Sequence, residues 1–276
     1  MATAIPTTAA DSVADPHLSE LVRHELRREL RPPFTAPSVV LVNGALMTGA
    51  WLLFPSNWQD ALFRLHGPFA FAIILSSWMY ADVPATNVLG DGARESLATL
   101  DDPRKLRRLL TARSIVLWMF VTPLCLLVAL GIGVYEGQFT PTALTAVAII
   151  VPPFGALGVA AWIGIRFPYH PIALAERWRQ RRSWRHMWAR WLVLVTIPYV
   201  VVPWLAGLTA LPAFAFWAAT GDGLSGGLGD ARFALGVLIA GATSIALWFG
   251  GHRVSVRLVR KRHDELRTYL ADPSRG

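Results

Sequence analysis

Charge is scarce in this sequence. Only 16% of its 276 residues are Asp, Glu, Lys or Arg, where an ordinary soluble domain carries roughly 25%. A chain of this length cannot clothe a water-soluble surface with so few charges, which excludes a soluble globular fold. Cysteine is nearly absent too. The single Cys125 cannot close an internal disulfide, and its apolar neighbours make it a small packed hydrophobe. No basic stretch followed by an apolar one opens the chain, so no signal peptide is expected. There is no GxxxxGK[ST] run for a nucleotide phosphate, and no HExxH or CxxC. The seven histidines are scattered and do not pair at metal-ligand spacing. The expectation is a chain that is not itself an enzyme and holds no metal or cofactor.

What is present is apolar surface. Hydrophobic residues make up 54% of the chain, and the mean hydropathy is +0.42. Six apolar stretches have the length of a spanning helix: roughly Ser38–Phe54, Pro68–Pro84, Ser114–Tyr135, Thr142–Ile165, Trp191–Trp217 and Phe233–Gly250. The fifth is punctuated by Pro198, Pro203 and Pro212. Charge inside these stretches is almost nil; Asp82 and Glu136 fall at predicted span ends. That argues against a proton-coupled carrier, which needs titratable groups at membrane depth.

The basic residues decide the layout. Of the 26 lysines and arginines, 24 fall on alternate connectors. These are the N-terminal segment, the loop between spans two and three, the loop between spans four and five, and the C-terminal segment. The other connectors hold only Arg64 and Arg232. Basic loops stay on the cytoplasmic side, so the pattern predicts an even number of spans with both termini cytoplasmic. It also accounts for the net charge of +8 without nucleic acid, since no single basic stripe forms. The preference for Arg over Lys, with abundant Ala, hints at a GC-rich bacterial genome and hence a bacterial plasma (inner) membrane.

The fold class expected is therefore an all-α polytopic membrane protein of six transmembrane helices, with an amphipathic interfacial helix before them. Residues 1–14 read as a disordered tail. Residues 15–31 read as the amphipathic helix, capped by Asp15-Pro16. Leu18, Leu21, Val22, Leu26 and Leu30 form its apolar stripe. That stripe suits either the membrane interface or a protein surface. The six-helix domain covers 38–250, and 251–276 reads as a basic cytoplasmic tail. Between spans two and three, residues 93–113 predict a helical pair, ARESLATL and then DDPRKLRRLLTAR, with Asp102 as cap and Pro103 at the first position of the second helix. A second basic segment, 171–190, carries Trp178, Trp184 and Trp188 among arginines. Both segments suit anionic lipid at the cytoplasmic face. The acids of DGARESLATLDD are wrongly spaced for a paired-metal site, because Asp101 and Asp102 are adjacent and diverge on a helix.

The run ATNVLGDGARESLATLDDPRKLRRLLTARSI, with Asn87, Gly90, Asp91, Gly92, Leu97, Leu100 and Arg113, resembles the membrane subunits of ABC type-2 exporters, especially actinobacterial ones. The phrase IRFPYHP, ending at Pro171, is similar to that family's exit from span four. The resemblance implies that two six-span units pair as a homo- or heterodimer and that a separate ATP-binding subunit drives them. It also implies that the segment between spans two and three carries the coupling contact, with Asp91, Glu95, Arg104, Lys105, Arg107 and Arg108 as its candidates. The alternative from a different class is a non-transporting integral membrane scaffold subunit of a larger envelope complex, which the lack of intramembrane charge also fits.

Overall fold

The computed structural model describes residues 17–32, 34–53, 68–80, 83–170, 211–213, 215–216, 219 and 231–272. Among them every regular element is helical. In chain order the helices are α1 (Leu18–Glu29), α2 (Thr35–Leu53), α3 (Pro68–Met79), α4 (Val83–Thr86), α5 (Ala93–Thr99), α6 (Pro103–Glu136), α7 (Phe139–Ile150), α8 (Pro153–Arg166), α9 (Ala231–Lys261) and α10 (His263–Ala271).

Four stretches among the described residues are long and apolar enough to cross a membrane: Ala36–Leu53, Pro103–Glu136, Phe139–Arg166 and Ala234–Lys261. They correspond to the first, third, fourth and sixth stretches expected from sequence. Apolar side chains point outward from them, with Leu53 at 86% and Val134 at 84% exposure. In water such a surface would be a liability; against lipid tails it is the ordinary one. This is the pattern of a membrane protein. The second expected stretch is described as the 12-residue α3, and residues 81–82 lie outside the described set. The fifth stretch and the Trp-rich segment 171–190 lie outside the described residues, apart from 211–213 and 215–216.

The 34 residues of α6 make a rod of about 51 Å at 1.5 Å per residue, well beyond a hydrocarbon slab of about 30 Å. Its basic residues all lie in the first three turns, up to Arg113. The second helix of the expected pair is therefore no separate element. It runs on into span three, since neither Gly nor Pro interrupts it before Pro123. The Asp102 cap does form: its side chain accepts from the N–H of Arg104 at 2.8 Å and of Lys105 at 3.3 Å. Expected span four, by contrast, is broken between α7 and α8. Pro152 and Pro153 lack the N–H groups a continuous ladder needs. The Trp118 indole N–H donates to Ile150 O at 2.9 Å beside the break.

Residues 251–272 form no loose tail. Helix α9 continues to Lys261, and α10 folds back beneath the array. The Arg262 guanidinium donates to Ile165 O at 3.1 Å and Arg166 O at 2.8 Å, tying the end of α9 to the end of α8. The start of α6 meets α9 through Thr111 and His252, 3.5 Å apart. The arginine-rich helix ends thus gather at one end of the array. Two cores result. One, around Val40, Leu75, Met79, Val121, Cys125 and Ile149, fills the apolar part. The other, around Leu89, Leu106, Leu110, Ile165, Leu266 and Leu270, lies beneath it at the basic end.

Candidate functional site

The segment between α4 and α6 folds as a turn followed by the short α5, and three distant parts of the chain hold it in place. From behind, the stretch 87–90 touches Tyr169, the residue that follows α8 by three positions. The Asn87 carboxamide oxygen accepts from the Tyr169 N–H at 3.1 Å. Gly90 comes so close to the same residue that a Cβ on it would stand 1.7 Å from Tyr169 O. From below, α10 packs on α5. His263 donates to Asp101 at 2.8 Å, and the Arg267 guanidinium lies 3.6 Å from the same carboxylate. Hydrogen bonds to Asp264 and then Asp101 hold the His263 imidazole above its ordinary pKa. His170 Nε2 lies 2.9 Å from Tyr269 O, with the two rings stacked.

From the side, α1 docks through a buried ionic cluster. Glu25 is 1% exposed and Arg113 is 9% exposed. Arg28 Nη2 reaches Glu25 at 2.8 Å, Glu29 at 2.6 Å and Asp91 at 3.1 Å. Arg113 lies 3.4 Å from Glu25 through Nε and donates through Nη1 to Ser96 Oγ at 3.1 Å and to Val88 O. Its Nη2 reaches Gly92 O at 3.4 Å. Burial opposes the charge on Arg28, but Glu25, Asp91 and Glu29 outweigh that and raise its pKa. The Glu29 carboxyl is pushed above its ordinary range, by burial first and by the charge of Asp91 second, against the pull of Arg28. The most deeply buried residue of α1 is thus a charged one, Glu25, flanked by half-buried Arg28 and Glu29. The apolar stripe read from sequence stays half-buried to exposed, with Leu30 at 50%, so protein docking and an outward apolar face coexist on one helix.

Gly92 sits between the two guanidiniums at φ +87°, a region that costs an L-residue roughly 1–2 kcal/mol. A Cβ there would stand 2.3 Å from Arg28 Nη1 and 2.6 Å from Arg113 Nη2. Gly92→Ala is expected to destabilise by about 2 kcal/mol from backbone strain alone, with a further loss from displaced ion pairs. Thermal unfolding of the purified chain checks this, and a wild-type midpoint would contradict it.

The six residues expected from sequence at the coupling contact separate in the structure. Asp91 is engaged by Arg28. Glu95, Lys105 and Arg108 line one cleft of about 410 Å³ together with Glu20, Leu21 and His24 of α1. Arg104 is exposed at the start of α6. Arg107 instead lies over the Phe249 ring of α9, 5.9 Å from its centroid. The exposed side of α5 carries Arg94 and Ala98. Sequence reasoning missed Glu25, Arg28 and Glu29 as site residues, and it placed Arg113 among the loop charges and the residues of the resemblance but not at the coupling contact. One signal was available: Arg113 stands on the same helical stripe as Leu106, Leu109 and Leu110, which a solvated arginine would avoid.

No protein-family model, curated protein or solved structure matches this chain.

Proposed function

We propose that this chain is a permease subunit of an ABC-type exporter. In this reading it is a six-span protein of a bacterial plasma membrane with both termini cytoplasmic. It pairs with a second permease subunit, and a separate ATP-binding subunit drives it. The observation that carries the proposal is mechanical. Helix α5 sits at the arginine-rich end of the array, and the turn before it is bonded through Arg113 to α6, the helix that runs on through the apolar span. A partner that pushes on α5 therefore moves a spanning helix directly. Such a connection is what coupling between an outside motor and a membrane pathway requires, because a push shifts only states that differ in that contact. Arg253, Arg257 and Arg260 are exposed along α9 and suit anionic headgroups on the same side.

The test is affinity purification of the full chain from its native membrane. An ATP-binding cassette protein should co-purify. Arg94→Glu, on the exposed side of α5, should cut its recovery about tenfold, or ~1.4 kcal/mol of contact, without changing the thermal midpoint of the chain. Recovery of a stable assembly with no ATPase in it would instead establish the scaffold reading, which the interlocked α1, α5 and α10 also suit.

A further inference from the structure

The ionic cluster beneath α1 is unbalanced. The groups facing Glu29 can be named from every element packed there. Helix α1 supplies Glu25 and Arg28, the turn before α5 supplies Asp91, α5 supplies Glu95 at the rim, and α6 supplies Arg113. Helix α2 contributes only apolar lining, and the remaining polar group is the neutral Asn87. Leaving Glu95 aside, three carboxylates meet two guanidiniums; the Glu29 side chain is 11% exposed, with the more open Asp91 at 38% beside it. An unpaired charge in such a place is costly, and a group there commonly neutralises itself by keeping a proton. Glu29 and Asp91 contact the same Arg28 nitrogen, at 2.6 and 3.1 Å, so their oxygens lie within a few ångströms of each other.

We infer that the contact between α1 and the turn before α5 is a pH-sensitive latch, closed when Glu29 holds a proton beside Asp91 and weakened when that proton leaves. The direction follows from linkage. Docked, the Glu29 carboxyl titrates above its ordinary range; with α1 undocked, the same group returns to that range. Docking therefore takes up a proton. It is strongest at acid pH and weakens as pH rises through the docked titration, about tenfold for each pH unit separating the two states. The latch does not rest on the exporter reading, because its readout is helix docking and not transport.

The experiment uses the full chain in lipid nanodiscs, with spin labels at Arg23→Cys on α1 and Arg94→Cys on α5, both exposed positions. Cys125 is fully buried and stays unlabelled. Pulsed dipolar spectroscopy should give a narrow distance distribution at about pH 5, broadening by about pH 8 as the carboxyl titrates. Glu29→Gln replaces the protonated carboxyl with a permanent neutral amide and should stay narrow at both values. Glu29→Asp retains the acid and should keep the pH dependence. Asp91→Asn removes the neighbouring charge that opposes ionisation of Glu29, should reduce the pH dependence, and serves as an independent variant if the glutamine form does not fold. A wild-type distribution that does not change with pH overturns the latch. So does a Gln or Asn variant that broadens as the wild type does.

Discussion

Arg113→Met is expected to cost about 3–5 kcal/mol, the penalty for stranding a buried charge by deleting its partner. Arg113 contacts Glu25, Ser96, Val88 O and Gly92 O at once. It thereby joins α1, the turn before α5 and α5 itself to α6. Its removal leaves Glu25, itself 1% exposed, with Arg28 as the remaining counter-charge, and takes the Arg113 donor from Val88 O, while Gly92 O keeps its bonds from Ser96. Methionine preserves much of the length and apolar stem, so lost volume is a minor part of the effect. The measurement is the apparent thermal midpoint of the detergent-solubilised full chain, followed by size-exclusion fluorescence. The double variant Glu25→Leu with Arg113→Met should recover much of the loss, because a buried ion pair exchanged whole for apolar groups is often neutral. A single variant within about 1 kcal/mol of wild type would refute the role assigned to Arg113, since that is the range of an exposed ion pair.

Gly251→Leu is expected to separate α8 from α9. A Cβ at Gly251 would stand 2.4 Å from Gly158 O, and one at Gly158 would stand 2.6 Å from Trp248 Cα. At this crossing backbone meets backbone, and no flexible side chain can yield. Between apolar helices there is little hydrophobic drive for association, and close approach through small residues supplies the packing instead. Gly251→Ala should already cost about 1–3 kcal/mol as overpacking, and leucine more. The adjacent position provides the control. A Cβ at Gly250 meets nothing within 4 Å, so Gly250→Leu should stay within about 0.5 kcal/mol of wild type. Thermal midpoints of the three variants in the same detergent check the ordering. Equal losses at 250 and 251 would show that the crossing is looser than the structure has it.

Much of the framework was legible from residue order. Among the described residues, the four stretches long and apolar enough to cross a membrane announce themselves by apolar length. The α5–α6 pair is marked by Asp102 and Pro103, whose cap and first-turn chemistry is local and needs no tertiary partner. Cys125 is buried among apolar side chains, as its neighbours indicated. The apolar pattern places the start of span three at Ser114 and by itself does not show that one unbroken helix runs from Pro103 through Arg113 to Glu136. Nor does it show the break at Pro152, where two prolines within an apolar run compete with the hydropathy pattern. The coupling residues divided for a similar reason. Their spacing puts Arg107 and Arg108 side by side in the chain, but a helix turns them to different neighbours: one to Phe249, the other to the cleft beside α1.

Apolar length and the placement of arginines are properties of the chain itself, read residue by residue, and they determine that this is a membrane-type helical protein with its basic groups bunched at helix ends. Which of those charges become buried, and against what, is decided only in three dimensions. Glu25, Arg28, Asp91 and Arg113 come together across as many as 88 positions of sequence. A carboxylate in water and the same carboxylate under a docked helix obey different electrostatics. Only the packing of α1 against α6 turns a surface-looking Glu–Arg pattern into the joint that holds α5.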